Sequence, residues 1–210
     1  MASLTPIKQE FADLYEAMSA EVRHLGKGQL AKDAIDTADL DHLSQVERRN
    51  LIRSVFAFFE AMCFGLKQLA LDTRGGDRLT PAERAVCLEE AYDLGDNGEV
   101  ETRPARLRFL SNIRFALKIG PRAAGIQYSP DLSGAEWTSL REALKVRDRL
   151  MHPKHVSALN VSDSEVRAAF AAFIWMNREI IRILLAMVEA GDVELAQLRK
   201  KAARRTGSAV

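Results

Sequence analysis

The sequence predicts an all-α protein built as a helical bundle. Apolar residues recur at spacings of three and four over most of the 210 residues, which is typical of helices that bury one face. Ser/Thr-x-x-Glu capping boxes mark several helix starts, and the chain has no long strand-period segment and no internal repeat. The boxes are Ser44 with Glu47, Thr80 with Glu83, Ser133 with Glu136, and Ser162 with Glu165.

The first helix is predicted over residues 6–25, and an acidic connector leads from it to residue 43. The second helix, over residues 45–71, is the most apolar part of the chain, so we expect it to lie centrally in the core. Its main apolar stripe is formed by Leu51, Val55, Phe58, Met62 and Leu66.

The remaining helices follow from the same spacing. Thr80 and Pro81 begin a short third helix that is predicted to reach Tyr92, and the turn "GDNGEV" after it leads into a short extended piece. Pro104 begins the fourth helix, and the pair Gly120-Pro121 ends it. The fifth and sixth helices are expected to pack antiparallel, because the link between them has only about ten residues. These last three predictions cover residues 104–121, 134–152 and 163–190.

Three parts are predicted along the chain. An N-terminal helix and the acidic connector form residues 1–43, the helical bundle forms residues 44–190, and a basic tail forms residues 191–210. The tail sequence "RKKAARR" is interpreted as a solvated, partly frayed end.

Composition narrows the class of protein. No apolar run reaches the length of a membrane span, and the N-terminus lacks the pattern of a signal peptide. Cys63 and Cys87 lie among apolar residues of predicted helices, which favours reduced core thiols and a cytoplasmic location. Residues 1–100 have 11 Lys and Arg against 18 Asp and Glu, and residues 101–210 have 19 against 11. The basic half is suited either to a polyanion or to pairing with the acidic half.

The stretch "KVRDRLMHPKH" places the most informative charges at the end of the fifth helix. Apolar residues follow three-four spacing at Trp137, Leu140, Leu144 and Met151, and Arg147 occupies the remaining position of that stripe. A buried guanidinium needs a carboxylate, a ligand or a water-filled cleft. Glu60, the sole polar residue of "VFAFFEAMCFGL", is the predicted partner and is expected to be drawn toward the interior.

His152 follows Arg147 by five residues, and Pro153 ends the helix. Because a residue before proline is pushed out of the helical region, His152 can turn back toward the face that carries Arg147. An imidazole can take a proton from an RNA 2′-hydroxyl or return one to the leaving 5′-oxygen, and a guanidinium can stabilise charge on the phosphorus. The pair therefore suits RNA cleavage, and Lys154 and His155 add positive potential for RNA binding.

An all-α bundle with Arg, a polar residue, three further residues and His at the junction of its last two long helices resembles the HEPN superfamily. Residues 147–152 carry the pattern, and the resemblance covers residues 44–190. It implies a four-helix core, with the N-terminal helix and the basic tail as additions. Asp148 fills the position where the family favours a polar residue.

The resemblance implies a metal-independent endoribonuclease with no cofactor, such as those of toxin–antitoxin, abortive-infection and CRISPR systems. It assigns catalysis to Arg147 and His152 and supporting roles to Asp148 and Glu60, in a homodimer that joins two motifs. Arg149, Lys154 and His155 are the expected RNA-binding residues, although the Arg149 to His155 spacing is interpreted as an incidental second match. An antitoxin or a nucleotidyltransferase is the expected partner.

Two alternatives remain open from the sequence. The chain could be a non-catalytic HEPN-like module that binds a partner protein or a nucleotide through the same groove. It could also be a plain helical regulatory protein, in which Arg147 makes a structural salt bridge and His152 favours the C-terminal helix dipole.

Overall fold

The computed structural model describes residues 6–25, 40, 42–72 and 78–206. The predicted all-α helical bundle is confirmed, because helices dominate these residues and the strands form one two-stranded sheet. The helices are α1 (Pro6–Leu25), α2 (Gln45–Asp72), α3 (Pro81–Cys87), α4 (Phe109–Ala123), α5 (Ala135–Met151) and α6 (Asp163–Thr206), with a 3-10 helix at Val156–Leu159. The strands are β1 (Glu90–Leu94) and β2 (Val100–Pro104).

The chain divides into two compact units. The first contains Met1–Gly65 and Pro130–Glu179, and the second contains Leu66–Ser129 and Ile180–Val210. Helices α2 and α6 each contribute residues to both units. Most of the predicted acidic connector lies outside the described residues.

The core of the first unit is aromatic and is centred on α2, as its apolar sequence predicts. The ring of Phe58 contacts that of Phe173 on α6, with centroids 4.9 Å apart. The indoles of Trp137 and Trp175 pack edge to face at 5.4 Å. The start of α5 therefore meets the first third of α6. Arg149, at the other end of α5, bonds Glu165 in the first turn of α6, so the predicted antiparallel pairing is confirmed.

A buried arginine, which the sequence analysis did not identify, fixes the start of α2. The Arg48 guanidinium donates to the carbonyls of Leu40, Leu43 and Val161, at 2.9, 3.0 and 3.2 Å, and also pairs with Asp163. Since a buried charge is tolerated only when its hydrogen bonds are made, this one side chain joins the chain before α2 to the start of α6.

In the second unit, a small apolar cluster packs beside a buried lysine. Lys67 is fully buried, and its Nζ donates to Glu89 Oε1 at 2.5 Å and to Asn112 Oδ1 at 3.1 Å. The cluster is formed by Ala70, Leu79, Cys87, Ile119 and Ala123. Burial raises the pKa of the Cys87 thiol to about 11. Cys63 is also buried, and both cysteines are free thiols, as predicted.

The predicted third helix is too long. It ends at Cys87, and Glu89 follows in the left-handed region with φ of 58°, which a helix cannot continue through. The chain then forms the antiparallel hairpin β1–β2, in which Leu94 pairs with Val100. Gly98 supplies the positive φ, 78°, that the connecting turn requires. The predicted turn and short extended piece are therefore present, as the connection and the second strand of this hairpin.

Three of the four predicted capping boxes are confirmed. Ser44, Thr80 and Ser162 each accept from the backbone N–H three residues on, and each glutamate accepts from the cap residue's N–H. The fourth prediction, Ser133 with Glu136, was wrong. Helix α5 begins one residue later, with Gly134 as its N-cap. Asp131 instead accepts from the N–H and hydroxyl of Ser133, and these bonds lower the pKa of Asp131.

Two other helix boundaries differ from prediction. Helix α4 begins at Phe109 and not at Pro104, which is the last residue of β2, and it continues through Pro121 to Ala123. Helix α6 continues to Thr206 and not to residue 190, so the basic sequence is helical up to that point.

Among the described residues, one helix has the length and hydropathy of a membrane span. It is α2, and 67% of its most apolar window is buried inside the protein. This is compatible with the core helix of a soluble protein, as the sequence analysis expected.

Candidate functional site

The core-facing side of α5 determines where Arg147 lies. The buried residues of this helix are Trp137, Leu140, Ala143, Val146 and Leu150. After Leu140 the buried positions come one residue earlier than the predicted ones. Val146 and Leu150 therefore lie in the core, and Met151 is 51% exposed. The prediction that Arg147 lies on the buried stripe was therefore wrong. Arg147 lies at its margin, where 31% of the side chain is exposed.

The predicted ion pair between Arg147 and Glu60 is confirmed. Arg147 Nη2 donates to Glu60 Oε1 at 3.2 Å, and Nη1 donates to Asp148 Oδ1 at 3.1 Å. The expectation that Glu60 lies toward the interior was wrong, since 55% of its side chain is exposed. The pair is thus a surface contact between α2 and α5, and it holds the guanidinium in a place that solvent and a ligand can reach.

His152 ends α5. Its N–H still donates to the Asp148 carbonyl at 3.1 Å, while its φ of −131° and ψ of 61° leave the helical region, as expected for a residue before proline. The side chain is exposed. Within the described residues its imidazole makes no hydrogen bond.

The three expected RNA-binding residues differ in their surroundings. Arg149 is held by the fold, because its Nη2 donates to the Asn160 carbonyl at 2.8 Å and to Glu165 Oε2 at 3.0 Å. Glu165 is also the capping glutamate of α6. Lys154 and His155 are exposed on the loop after Pro153. The Lys154 ammonium and the His155 imidazole are therefore the groups that face solvent.

Two clefts flank Arg149. One, of about 710 Å³, lies among the starts of α2 and α6 and the loop between α5 and α6, and residues such as Gln45, Arg48 and Asn160 line it. The other, of about 410 Å³, lies between α5 and the first turns of α6. Neither cleft is lined by Arg147 or His152. The candidate residues Arg147 and His152 therefore lie outside both of these clefts.

Further cations beside the site were missed by the sequence analysis. Arg49 Nη1 donates to the Leu159 carbonyl at 3.1 Å, which attaches α2 to the segment that follows the motif. Arg53, one turn further along α2, is exposed. The signal was the sequence "ERRNLIR" at the start of α2, where three arginines interrupt an apolar pattern.

Within the parts of the chain that the structure describes, no group of three or more His, Cys, Asp or Glu side chains is arranged to hold a metal ion.

No family model matches this chain, and neither a curated protein nor a solved structure is significantly similar to it.

Proposed function

We propose that this protein is a metal-independent endoribonuclease of the HEPN type that cleaves single-stranded RNA with Arg147 and His152. It acts as a homodimer in which two such motifs share one substrate groove. A toxin or defence role, with an antitoxin or a nucleotidyltransferase as partner, is the setting in which we expect it.

One arrangement carries the proposal. A guanidinium that is accessible to solvent and oriented by a carboxylate lies a little more than one helical turn before an exposed imidazole at the end of the helix. Arg147 is neither enclosed in the core nor extended freely into water, since Glu60 and Asp148 hold it from two sides. A preorganised cation of this kind can stabilise charge that develops in a transition state.

The chemistry needs only the groups of the protein and the RNA. His152 takes the proton from a 2′-hydroxyl, and the 2′-oxygen attacks the adjacent phosphorus. The new O2′–P bond forms as the P–O5′ bond breaks, and the 5′-oxygen receives a proton from an imidazolium, which in a dimer can be the second copy of His152. Arg147 donates to the non-bridging oxygens. The products are a 2′,3′-cyclic phosphate and a 5′-hydroxyl.

The test is incubation of the purified protein with a labelled single-stranded RNA in excess EDTA. We expect cleavage by the wild type that falls by at least 100-fold, a typical loss for such groups, in Arg147→Ala and in His152→Ala. Arg141→Ala, at an exposed position of the same helix, is the matched control and should cleave normally. Cleavage that persists in both site variants would overturn the proposal.

The substrate offers a second control. A single 2′-deoxynucleotide should block cleavage at its own 3′-phosphate and leave neighbouring bonds sensitive, because the nucleophile is missing only there. A contaminating hydrolytic nuclease that leaves a 3′-hydroxyl would cut at this bond. Size-exclusion chromatography with light scattering would test the homodimer directly.

A second candidate function is a non-catalytic module that binds a partner protein or a nucleotide. The observation that favours it is the pairing of Arg147 with two carboxylates, Glu60 and Asp148, which neutralise its charge in the free protein. An acidic ligand would then have to replace them. Absence of cleavage, together with saturable binding of a nucleotide that Arg147→Ala abolishes, would support this function over the first.

A further inference from the structure

Two contacts connect α2 to the segment that contains the motif. Glu60 accepts from Arg147 at 3.2 Å, and Arg49 donates to the Leu159 carbonyl at 3.1 Å. The chain between Arg147 and Leu159 thus begins beside residue 60 of α2 and ends beside residue 49. It passes α2 in the opposite direction, and its middle is the exposed stretch from His152 to His155.

Arg53 lies on the same face of α2 as these two contacts. With 3.6 residues per turn, positions 49, 53 and 60 fall within an arc of about 40°. Arg53 is therefore directed toward the side of α2 along which the segment passes, between its two points of attachment. His152 lies about midway along this segment in sequence.

Arg53 also differs from the neighbouring arginines in how few bonds hold its guanidinium. It is exposed, and within the described residues its hydrogen bond is a long one of 3.4 Å to Asn50 Oδ1. Arg48 is buried in a structural network, and Arg49 is bonded to a carbonyl. The charge of Arg147 is balanced by Glu60 and Asp148. Among the residues that the structure describes, no carboxylate pairs with Arg53, so it provides this face with a cation that these residues leave unneutralised.

We infer that Arg53 binds the phosphodiester backbone of the single-stranded RNA, at a phosphate other than the one that is cleaved. The inference rests on the proposed function and names a substrate contact for the same site. Arg147 contacts α2 at Glu60, and positions 53 and 60 are about 10 Å apart along the helix axis. We therefore expect Arg53 and Arg147 to contact different phosphates. Arg53 is thus a substrate-binding residue and takes no part in the bond-breaking step.

The experiment measures binding of a fluorescein-labelled 2′-O-methyl oligouridine of about 20 nucleotides, which cannot be cleaved by the proposed route because its 2′-oxygen is blocked. Fluorescence anisotropy is recorded over a range of NaCl concentrations for the wild type, Arg53→Gln and Arg141→Gln. Loss of one phosphate contact should reduce the slope of log K against log salt by about 0.7 for a single strand. Arg141→Gln, about 120° around α5 from Arg147, should keep the wild-type slope.

Arg53→Lys separates charge from shape. A lysine still provides a point charge for phosphate, so this variant should retain most of the slope that Arg53→Gln loses. All variants should melt within a few degrees of the wild type by circular dichroism, since Arg53 is exposed. An Arg53→Gln protein with the same affinity and slope as the wild type would overturn the inference.

The two proposals fail in different ways. If the wild type cleaves unmodified RNA and Arg53→Gln leaves binding unchanged, the Arg53 inference is wrong and the nuclease stands. If Arg53→Gln lowers the slope while the wild type does not cleave, the nuclease is wrong and Arg53 remains a nucleic-acid contact. If the wild type does not bind the strand even at low salt and does not cleave unmodified RNA, both are wrong.

Discussion

The Arg147 guanidinium and the Glu60 carboxylate meet at 3.2 Å on the surface, joining the end of α5 to α2. Because both side chains are partly exposed, water screens their attraction, and such pairs contribute about 1 kcal/mol or less to the free energy of unfolding. We therefore predict that Arg147→Gln and Glu60→Gln each lower this free energy by less than about 1 kcal/mol, while Arg147→Gln abolishes RNA cleavage.

Urea denaturation followed by circular dichroism measures the stability part of this prediction, and the double variant gives the coupling between the two side chains. Glu60→Gln should reduce cleavage less than Arg147→Gln does, since Glu60 only orients the guanidinium. A loss of several kcal/mol in either single variant would instead indicate a structural salt bridge and favour the plain regulatory protein.

Arg48 provides the opposite case. Its guanidinium is buried and bonds three carbonyls and one carboxylate. We predict that Arg48→Ala lowers the free energy of unfolding by about 3 kcal/mol or more, because it leaves Asp163 and the buried carbonyls without their donor. Arg48→Lys should restore little, since one ammonium cannot reproduce the planar fork.

The matched control is Arg53→Ala, an exposed arginine on the same helix, which should stay within about 0.5 kcal/mol of the wild type. Thermal and urea unfolding of the three variants would check the order. Equal stability of Arg48→Ala and Arg53→Ala would show that the Arg48 network contributes nothing.

Local chemistry made the helix starts predictable. A capping box is contained within four residues, so Ser44, Thr80 and Ser162 could be identified without knowledge of the fold. The fourth box failed because Asp131, two residues before Ser133, competes for the same donors. The end of α3 was missed because nothing in the sequence indicates that Glu89 adopts a positive φ.

The candidate site was predictable only in part. Glu60 and Arg147 could be paired because Glu60 is the sole polar residue of an apolar run and Arg147 occupies one position of the predicted apolar spacing of α5. The face of α5 that enters the core was misjudged, because alanine and valine at positions 143 and 146 provide an apolar stripe as good as the predicted one. Arg48 was missed because its acceptors are mostly backbone carbonyls, and the Val161 carbonyl and the Asp163 carboxylate are distant in sequence.

Gly65 marks a close approach between α2 and α1. A Cβ atom added there would overlap the ring of Phe11. Replacing a helical glycine by alanine ordinarily stabilises a protein by roughly 0.5–1 kcal/mol. At this position we predict that Gly65→Ala destabilises the protein by about 1–3 kcal/mol, because the phenyl ring must move.

Gly191 on α6 is the control, since an added Cβ would meet no atom within 4 Å there. Gly191→Ala should raise the midpoint of thermal unfolding, and Gly65→Ala should lower it. In a Phe11→Ala background the effect of Gly65→Ala should become neutral or favourable. If Gly65→Ala stabilises the wild-type protein, α1 does not pack against α2 at this point.

Glu83 should make the second unit sensitive to acid. Arg122 Nη2 lies 2.5 Å from Glu83 Oε2, and the N–H and hydroxyl of Thr80 both donate to the same oxygen at 2.9 Å. The Arg122 bond, with these capping bonds, lowers the pKa of Glu83 to about 2. The ordinary pKa of a glutamate is about 4.3, so the folded protein binds this proton more weakly than the unfolded chain does.

The stabilisation by ionised Glu83 is therefore fully present above about pH 4.3 and is lost as the pH falls toward 2. We predict that Glu83→Gln is less stable than the wild type at pH 6 and that the difference in the free energy of unfolding narrows steadily between about pH 4.5 and pH 2.5. Urea unfolding at a series of pH values measures it. Glu142→Gln, which removes an exposed pair with Lys145, is the control and should differ little from the wild type at any pH. A difference for Glu83→Gln that stays constant with pH would mean that the carboxylate is not ionised preferentially in the folded state.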